Sequence, residues 1–325
     1  MDRLGGPTQV LATADDPAHA VHRKSLIRHL AAKRVRAVEP SVADTAARLW
    51  RGGVNGGRIE WMSAMANRLP MMIVGRIIGV PDEDIDNLIA WGYSATQLLE
   101  GLVTQDQLTA AGIAVMELSA YISERFRQAA AGDADNLLGD LATACAAGEL
   151  DELAAQVIMI TLFSAGGEST ASLIGSAAGI LGNHPDIQQE LRNRPELLGA
   201  FLEEVLRVEP PFRGHYRHVV NDTTLCGVDL AAGSRLILLW GAANRDPSHF
   251  EDPATFRLDR ATGKGHISFG RGAHFCVGAA LARSEATIVM GQLLERTSRV
   301  EVAEAGRWLP SLLVRRLEHL ELVLA

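Results

Sequence analysis

The stretch Phe269-Gly-Arg-Gly-Ala-His-Phe-Cys-Val-Gly278 decides how this chain is interpreted. Gly270 and Gly272 permit a tight turn and let a flat group approach the backbone. Cys276 stands just before a helical pattern that begins near Val277, and a helix N-terminus stabilises a thiolate through its dipole and its free N–H groups. Because the thiolate is the form of cysteine that binds metals, this spacing predicts a metal site and not a buried structural cysteine.

The bulk composition narrows the class of protein. Of the 325 residues, 47% are hydrophobic and 22% are charged, as in an ordinary globular protein. The net charge of −8 and the aromatic content of 5% argue against nucleic-acid binding, which needs a basic surface. The three cysteines lie far apart, with no C-x-x-C spacing and no disulfide framework, so we expect a reducing, cytoplasmic compartment.

The pattern along the chain predicts a helix-rich protein. Helical periodicity dominates residues 14–209, and short strand patterns separated by turns begin after Pro210. The predicted fold class is mainly α with small β-sheets (α+β), in a single domain over residues 1–325 whose β-containing part is 210–325. The most apolar stretch, residues 153–167, is shorter than a membrane span, so we expect a buried helix and no membrane span.

Individual helices follow from the apolar periodicity and its breaks. Helices are predicted from Asp16 to Val38, from Pro81 to about Glu100 and from Gln105 to Ala130. The longest predicted helix runs from Leu150 to about Leu181 and is apolar on nearly all faces. It contains Ala165-Gly-Gly-Glu-Ser-Thr170, where each glycine costs about 1 kcal/mol against alanine and a buried carboxylate is costly unless it is paired or useful.

The cysteine segment resembles the haem-binding loop of the cytochrome P-450 superfamily, in which a cysteine thiolate holds the haem iron. The resemblance implies the cytochrome P-450 fold, haem b as the cofactor and Cys276 as the axial ligand of its iron. Phe269 and Gly270 are then expected to lie against the haem. Members usually carry further residues before the region of His19, so the resemblance also implies an N-terminally shortened form with part of its sheet and its pocket loop missing.

The segment from Ala165 to Thr170 resembles the oxygen-binding segment A-G-x-[DE]-T-[ST] of that superfamily. The resemblance implies that Ala165 and Gly166 lie beside the haem, in a helix that opens there as a local bulge. Glu168, Ser169 and Thr170 are the expected catalytic residues, which relay protons to bound oxygen. Most members carry Thr where this chain has Ser169, and serine keeps the hydroxyl.

Two further motifs agree with the resemblance. Glu204-Val-Leu-Arg207 matches the structural E-x-x-R pair, whose side chains are neighbours at i, i+3 on a helix. Thr255 stands where many members have a third, arginine partner, so that partner is absent or comes from elsewhere. Haem carries two propionates that need cationic partners. The expected partners are His19 and Arg23 in the pattern H-x-x-x-R, together with Arg217 and His274; His215 and His22 are less well placed.

The resemblance implies a haem-thiolate monooxygenase that inserts one oxygen atom from O2 into a small lipophilic substrate. Its electrons would come from a ferredoxin and a ferredoxin reductase. The basic run from Arg23 to Arg36 is either a solvated helix face or a docking patch for that donor. Two alternatives stay open: a non-catalytic haem-binding relative that serves as a binding or recruitment module, and a haem-thiolate enzyme that performs other oxidative chemistry, such as coupling.

Overall fold

A computed structural model describes residues 11–12, 14–97, 103–132, 135–260, 265–304 and 306–325. The helices are α1 (Ala18–Leu30), α2 (Ala32–Gly53), α3 (Arg68–Ile78), α4 (Ile85–Thr96), α5 (Gln105–Ala130), α6 (Leu137–Ala146), α7 (Glu152–Asn183), α8 (Pro185–Asn193), α9 (Leu198–Val208), α10 (Trp240–Ala243) and α11 (Ala279–Arg296). The strands are β1 (Arg58–Glu60), β2 (His215–His218), β3 (Thr223–Leu225), β4 (Val228–Leu230), β5 (Arg235–Leu238), β6 (Val300–Val302), β7 (Arg307–Trp308), β8 (Leu317–His319) and β9 (Glu321–Leu324). The α+β prediction is therefore confirmed.

The core is organised around α7. One hydrophobic cluster packs the second half of α7 against α2, α3, α9 and α11, and contains Leu173, Ile174 and Leu181. A second cluster packs the first half of α7 against α4, α5 and α6, and contains Met159 and Phe163. A helix that contributes to both clusters has apolar residues on nearly all faces, as its sequence predicted.

By length and hydropathy alone α7 is capable of crossing a membrane, with a mean hydropathy of 1.4 over its most apolar 18-residue window. The helix is therefore longer than the apolar stretch of residues 153–167, which by itself is shorter than a membrane span. However, 56% of that window is buried inside the protein, and a core helix passes the same test. The burial supports the interpretation of α7 as a core helix.

Some helix boundaries differ from the prediction. The helix predicted from Asp16 to Val38 is divided at Ala31, whose backbone is extended (φ −64°, ψ 149°). Helix α2 then continues beyond Val38, where the predicted helix ended, and passes through Pro40. The helix expected to reach about Glu100 is described as far as Thr96, and Glu100 lies outside the described residues.

The strands form small antiparallel sheets. β9 lies between β1 and β6 in a three-stranded sheet, and pairing with β1 joins the N-terminal third of the chain to its end. β2 pairs with β5 so that His215 is opposite Leu238 and Arg217 is opposite Leu236. This second sheet carries Arg217, one of the side chains that form the site described next.

Candidate active site

The cysteine segment folds as a tight loop that leads into α11. The backbone N–H of Cys276 donates to the Phe269 carbonyl at 2.9 Å, which closes the loop. Gly270 and Gly272 have φ angles of 70° and 73°, in the left-handed region that favours glycine. The two glycines therefore have the conformational role that the sequence predicted, and the loop places Cys276 three residues before the first residue of α11.

Cys276 lies on the wall of a cleft. Its side chain is accessible to solvent, although protein surrounds it on most sides. Burial raises the pKa of its thiol above the usual value, against the opposing effects of the backbone N–H groups of Gly278 and Ala279 and the guanidinium groups of Arg23 and Arg283. A bound metal cation reverses this balance, because it coordinates and stabilises the thiolate.

Arginine and histidine side chains gather around this loop. Arg23 Nη2 donates to the carbonyl oxygen of Phe275 at 2.9 Å, beside the cysteine. The rings of His19 and His274 lie 4.2 Å apart. Burial, His19 and Arg217 lower the pKa of His274, so the Arg217 charge acts on the same cluster. The structure thus brings together the four side chains predicted to bind carboxylates.

The chemistry of this donor set fits a haem. Two guanidinium groups and two imidazoles around one thiol suit an iron complex that carries two carboxylates. Apolar side chains are left accessible in the loop and after β5, the strand that pairs with β2, with exposed fractions of 41% for Phe275 and 54% for Leu239. Ala165 is likewise exposed although it lies at the centre of the core helix α7. A flat apolar group would cover such surfaces.

The glycine pair in α7 has a packing role. A Cβ on Gly166 would lie 3.0 Å from Val74 Cγ2, and one on Gly167 would lie 2.5 Å from Met71 Cε. Both contacts are with α3, so the glycines permit close approach of two helices. The predicted local bulge was wrong, because α7 is a continuous α-helix from Glu152 to Asn183.

Glu168 is a buried carboxylate whose two oxygens each lie beside a polar side chain. It is 1% exposed. Arg316 Nε donates to Oε1 at 2.9 Å, and the Thr96 hydroxyl lies 2.5 Å from Oε2. The same hydroxyl lies 2.8 Å from the Tyr93 carbonyl, and its one proton serves one acceptor at a time. Thr96 and Arg316 could not be recognised from the sequence, because pairing with Glu168 across 72 and 148 residues depends on the tertiary fold.

The two hydroxyl residues after Glu168 are placed differently. Ser169 is half-buried, and its Oγ donates to the carbonyl oxygen of Ala165 at 2.8 Å, one turn earlier in α7. Thr170 is buried. Ser169 therefore lies beside the exposed Ala165, whereas Thr170 faces the protein interior.

Comparison with known proteins identifies the family. Residues 137–307 match the family model of Cytochrome P450. Cytochrome P450 144 of Mycobacterium tuberculosis is 70% identical over 322 residues, which cover 99% of this chain and 74% of that protein. This chain belongs to the cytochrome P450 family. The P450 is a monooxygenase with haem b as its cofactor, and it uses O2, an organic substrate and a redox partner.

Two solved P450 structures are close to this one in fold. P450BioI in complex with hexadec-9Z-enoic acid ligated acyl carrier protein has a TM-score of 0.93 and 31% identity, over 97% of this chain and 82% of that chain. A myxobacterial cytochrome P450 in complex with myristic acid has a TM-score of 0.91 and 30% identity, over 98% of this chain and 79% of that chain. The cytochrome P450 fold expected from the cysteine loop is therefore confirmed.

The E-x-x-R pair of this P450 is completed from elsewhere in the chain. Arg207 donates to Glu204 through Nε at 2.8 Å and Nη2 at 2.7 Å. Arg260 Nε donates to the same carboxylate at 3.0 Å, and the backbone N–H of Arg257 donates at 3.1 Å. Burial raises the pKa of Glu204, but Arg207 and Arg260 more than offset it, so the pKa lies below its usual range. Arg260 is the third partner that Thr255 does not supply.

A second carboxylate of α9 supports the cysteine loop. Glu203 accepts from Arg283 Nε at 2.6 Å and lies 3.1 Å from His266 Nε2. The Arg283 guanidinium lies 4.4 Å from the centroid of the Phe269 ring. The loop is therefore joined to α9 and α11 by charged groups that the sequence motifs did not identify. The Phe269 ring is held by the Arg283 guanidinium, and the Phe269 carbonyl accepts the hydrogen bond from the Cys276 N–H.

Proposed function

We propose that Cys276 supplies the thiolate that would hold the haem iron and that the side chains of His19, Arg23, Arg217 and His274 would bind the haem carboxylates. The observation that carries this proposal is the position of Cys276 at the head of α11, on a cleft wall where Arg23 and the His19–His274 pair converge. A haem held by a thiolate activates O2 for oxygen insertion. The loop orients the sulfur, and α11 stabilises its charge.

In the same proposal, Glu168 and Ser169 handle protons on the α7 side of the cleft. The Thr96 hydroxyl can direct its proton to Glu168 Oε2 or to the Tyr93 carbonyl, so its hydrogen bond to this carboxylate can be made or withdrawn. Ser169 Oγ retains lone pairs while its own proton is bound to the Ala165 carbonyl, so it can hold a water. We assign this role to Ser169 and not to the buried Thr170.

The ligand assignment is tested by absorbance of the reduced protein with carbon monoxide. The wild type is expected to show the band of a thiolate-ligated haem. Cys276→His keeps a metal-binding side chain but removes the thiolate, so the band should be lost even where haem is retained. Cys226→Ala and Cys145→Ala change the other two free cysteines and should leave the band intact. A thiolate band that survives in Cys276→His would contradict the assignment.

We further propose that the redox partner is a ferredoxin, supplied with electrons by a ferredoxin reductase. Exposed basic side chains occur along α1 and at the start of α2, the helix pair whose Arg23 contacts the cysteine loop: Lys24, Lys33, Arg34 and Arg36. Among the described residues, these four side chains have no acidic partner within 4.0 Å, whereas Arg28 pairs with Asp140 at 3.1 Å. The unneutralised charge supports a docking patch for an acidic protein.

For the substrate we propose a small lipophilic molecule. The two similar structures hold hexadec-9Z-enoic acid on a carrier protein and myristic acid, which are both long apolar chains. The accessible apolar side chains Leu239 and Phe275 support the same chemistry here. A cytoplasmic location is proposed from the three free cysteines, which agree with a reducing compartment.

A further inference from the structure

His215, at the start of β2, is held on two sides. The indole Nε1 of Trp240 donates to its Nδ1 at 2.6 Å. The ring of Phe212 lies against it, with 4.9 Å between the ring centroids. Both contacts restrict rotation of the imidazole, so its remaining nitrogen has a fixed direction.

The hydrogen bond from Trp240 fixes the tautomer of His215. An indole N–H is only a donor, so Nδ1 must accept and the single proton of a neutral imidazole must lie on Nε2. Burial and the positive charge of Arg217 lower the pKa of His215 to about 4, which keeps the ring neutral near neutral pH. The Nε2–H group of His215 is therefore available as a hydrogen-bond donor near neutral pH. Among the described residues it has no acceptor within hydrogen-bond distance.

Arg217 links His215 to the cysteine loop. His215 and Arg217 are two residues apart on β2, so their side chains lie on the same face of the sheet. Arg217 acts electrostatically on both His215 and His274 of the cysteine loop. Through Arg217, His215 is therefore linked to the group of His19, Arg23 and His274 at the cysteine loop.

On its other side, the segment that carries His215 is joined to the chain that holds the α7 carboxylate. Phe212 forms an isolated bridge with Val314, and the Arg315 N–H donates to the Pro211 carbonyl at 2.8 Å. The next residue, Arg316, holds Glu168. The segment that leads into β2 is thus connected through residues 314–316 to Glu168 of α7.

The backbone fixes the relative position of His215 and Trp240. A Cβ on Gly214 would lie 2.7 Å from the carbonyl oxygen of Leu238, so glycine lets β2 approach β5 closely. The N–H of Gly241 donates to the Arg213 carbonyl at 3.0 Å, which brings the first residue of α10 beside the start of β2. Main-chain contacts on both sides therefore fix the position of His215 relative to Trp240.

We propose that His215 is a specificity-determining residue that donates Nε2–H to a carbonyl or carboxylate oxygen of the substrate, and that Trp240 is the positioning residue that aims it. The proposal rests on the proposed function, because it takes the cleft beside Cys276 as the substrate site. It selects substrates with an accepting oxygen over hydrocarbons of the same shape and over protonated amines, which have no lone pair to offer.

The test uses the holoenzyme and paired N-alkylimidazole probes. In each pair the alkyl chain either carries a methyl ketone or has CH2 in place of the carbonyl, over a series of chain lengths. Affinity is measured from the absorbance change on imidazole binding. At the best length, the wild type should prefer the ketone by about three- to tenfold, the range for one hydrogen bond. His215→Phe should bind both probes equally, and Trp240→Phe should show an intermediate ratio.

A second measurement reads the tautomer directly. Nitrogen-15 NMR of the His215 ring should show the proton on Nε2 in the wild type and a mixture in Trp240→Phe. Equal affinities at every chain length, an unchanged ratio in His215→Phe, or a proton on Nδ1 would each overturn the proposal. A protein that gives no absorbance change with imidazole itself fails the proposed function instead, and the tautomer measurement is independent of that failure.

Discussion

Glu285, in α11, is the most unusual single residue outside the cleft. Its side chain is 1% exposed, and Oε2 has no hydrogen-bond partner among the residues that the structure describes. Burial raises its pKa to about 8 from an ordinary 4.5. A neutral carboxylic acid is therefore the stable form in the folded protein near pH 7.

Glu285 makes the free energy of unfolding depend on pH. Between pH 4.5 and about 8 the folded state keeps a proton on Glu285 that the unfolded state has released, so stability falls as pH rises through this window. The slope is at most about 1.4 kcal/mol per pH unit. Glu285→Gln should remove it. Urea unfolding at pH 5, 6.5 and 8 measures the difference between the two proteins; a difference that is constant with pH would contradict the expectation.

The Glu204 carboxylate is a second residue whose removal should be costly. Arg207 is 2% exposed, so Glu204→Ala leaves a buried guanidinium without its carboxylate. We expect a loss of about 3–5 kcal/mol in the free energy of unfolding. Glu190→Ala is the matched control, since it removes an exposed i, i+4 pair with Arg194 and should cost about 0.5 kcal/mol or less. Similar losses of unfolding free energy in Glu204→Ala and Glu190→Ala would contradict the larger role given to Glu204.

At the scale of elements, helices with local signals were predicted well. The predicted bounds of α5 match because Thr104 and Gln107 form a capping box at its start, which is a property of neighbouring residues. The passage of α2 through Pro40 was missed, because packing stabilises a helix that its sequence alone would end. The glycines at 166 and 167 were visible, but their contact with Val74 and Met71 was not.

Replacement of two helical glycines by alanine should change the stability of the protein in opposite directions. In α7, a Cβ on Gly182 would lie 2.7 Å from Val302 Cγ2 and 3.0 Å from the Val302 backbone nitrogen, so Gly182→Ala must push β6 away and should destabilise the protein. In α5, Gly112 has nothing within 4 Å of the added Cβ. Gly112→Ala should stabilise by about 0.5–1 kcal/mol. Thermal unfolding of both variants measures the sign, and a stabilising Gly182→Ala would contradict the packing argument.

Across the whole molecule, α7 links the two hydrophobic clusters, and we propose that residues 1–325 form one domain for this reason. The sequence motifs identified the cysteine loop, the α7 carboxylate and the E-x-x-R pair, because each is local in the chain. Arg260, Arg316 and Thr96 complete these groups from distant positions. Such partners depend on the tertiary fold and leave no spacing to recognise.

The charge distribution of the whole protein makes a kinetic prediction. The net charge is −8, yet the α1–α2 surface is basic. If this surface docks a ferredoxin, reduction by an acidic ferredoxin should slow as ionic strength rises. Arg34→Gln should slow it at low salt. Arg51→Gln is the matched control, an exposed arginine on the same helix about 25 Å away by the rise of an α-helix. Rates that do not change with salt would exclude the patch.

The close approach at Gly214 also bears on how this enzyme would respond to engineering. A side chain there would displace β2 from the Leu238 carbonyl and would move His215 and Arg217 together, since both belong to that strand. One substitution would thereby disturb substrate choice and cofactor retention at once. Libraries that aim to change the substrate range should therefore vary position 215 and leave position 214 as glycine, so that selectivity is altered without loss of the haem.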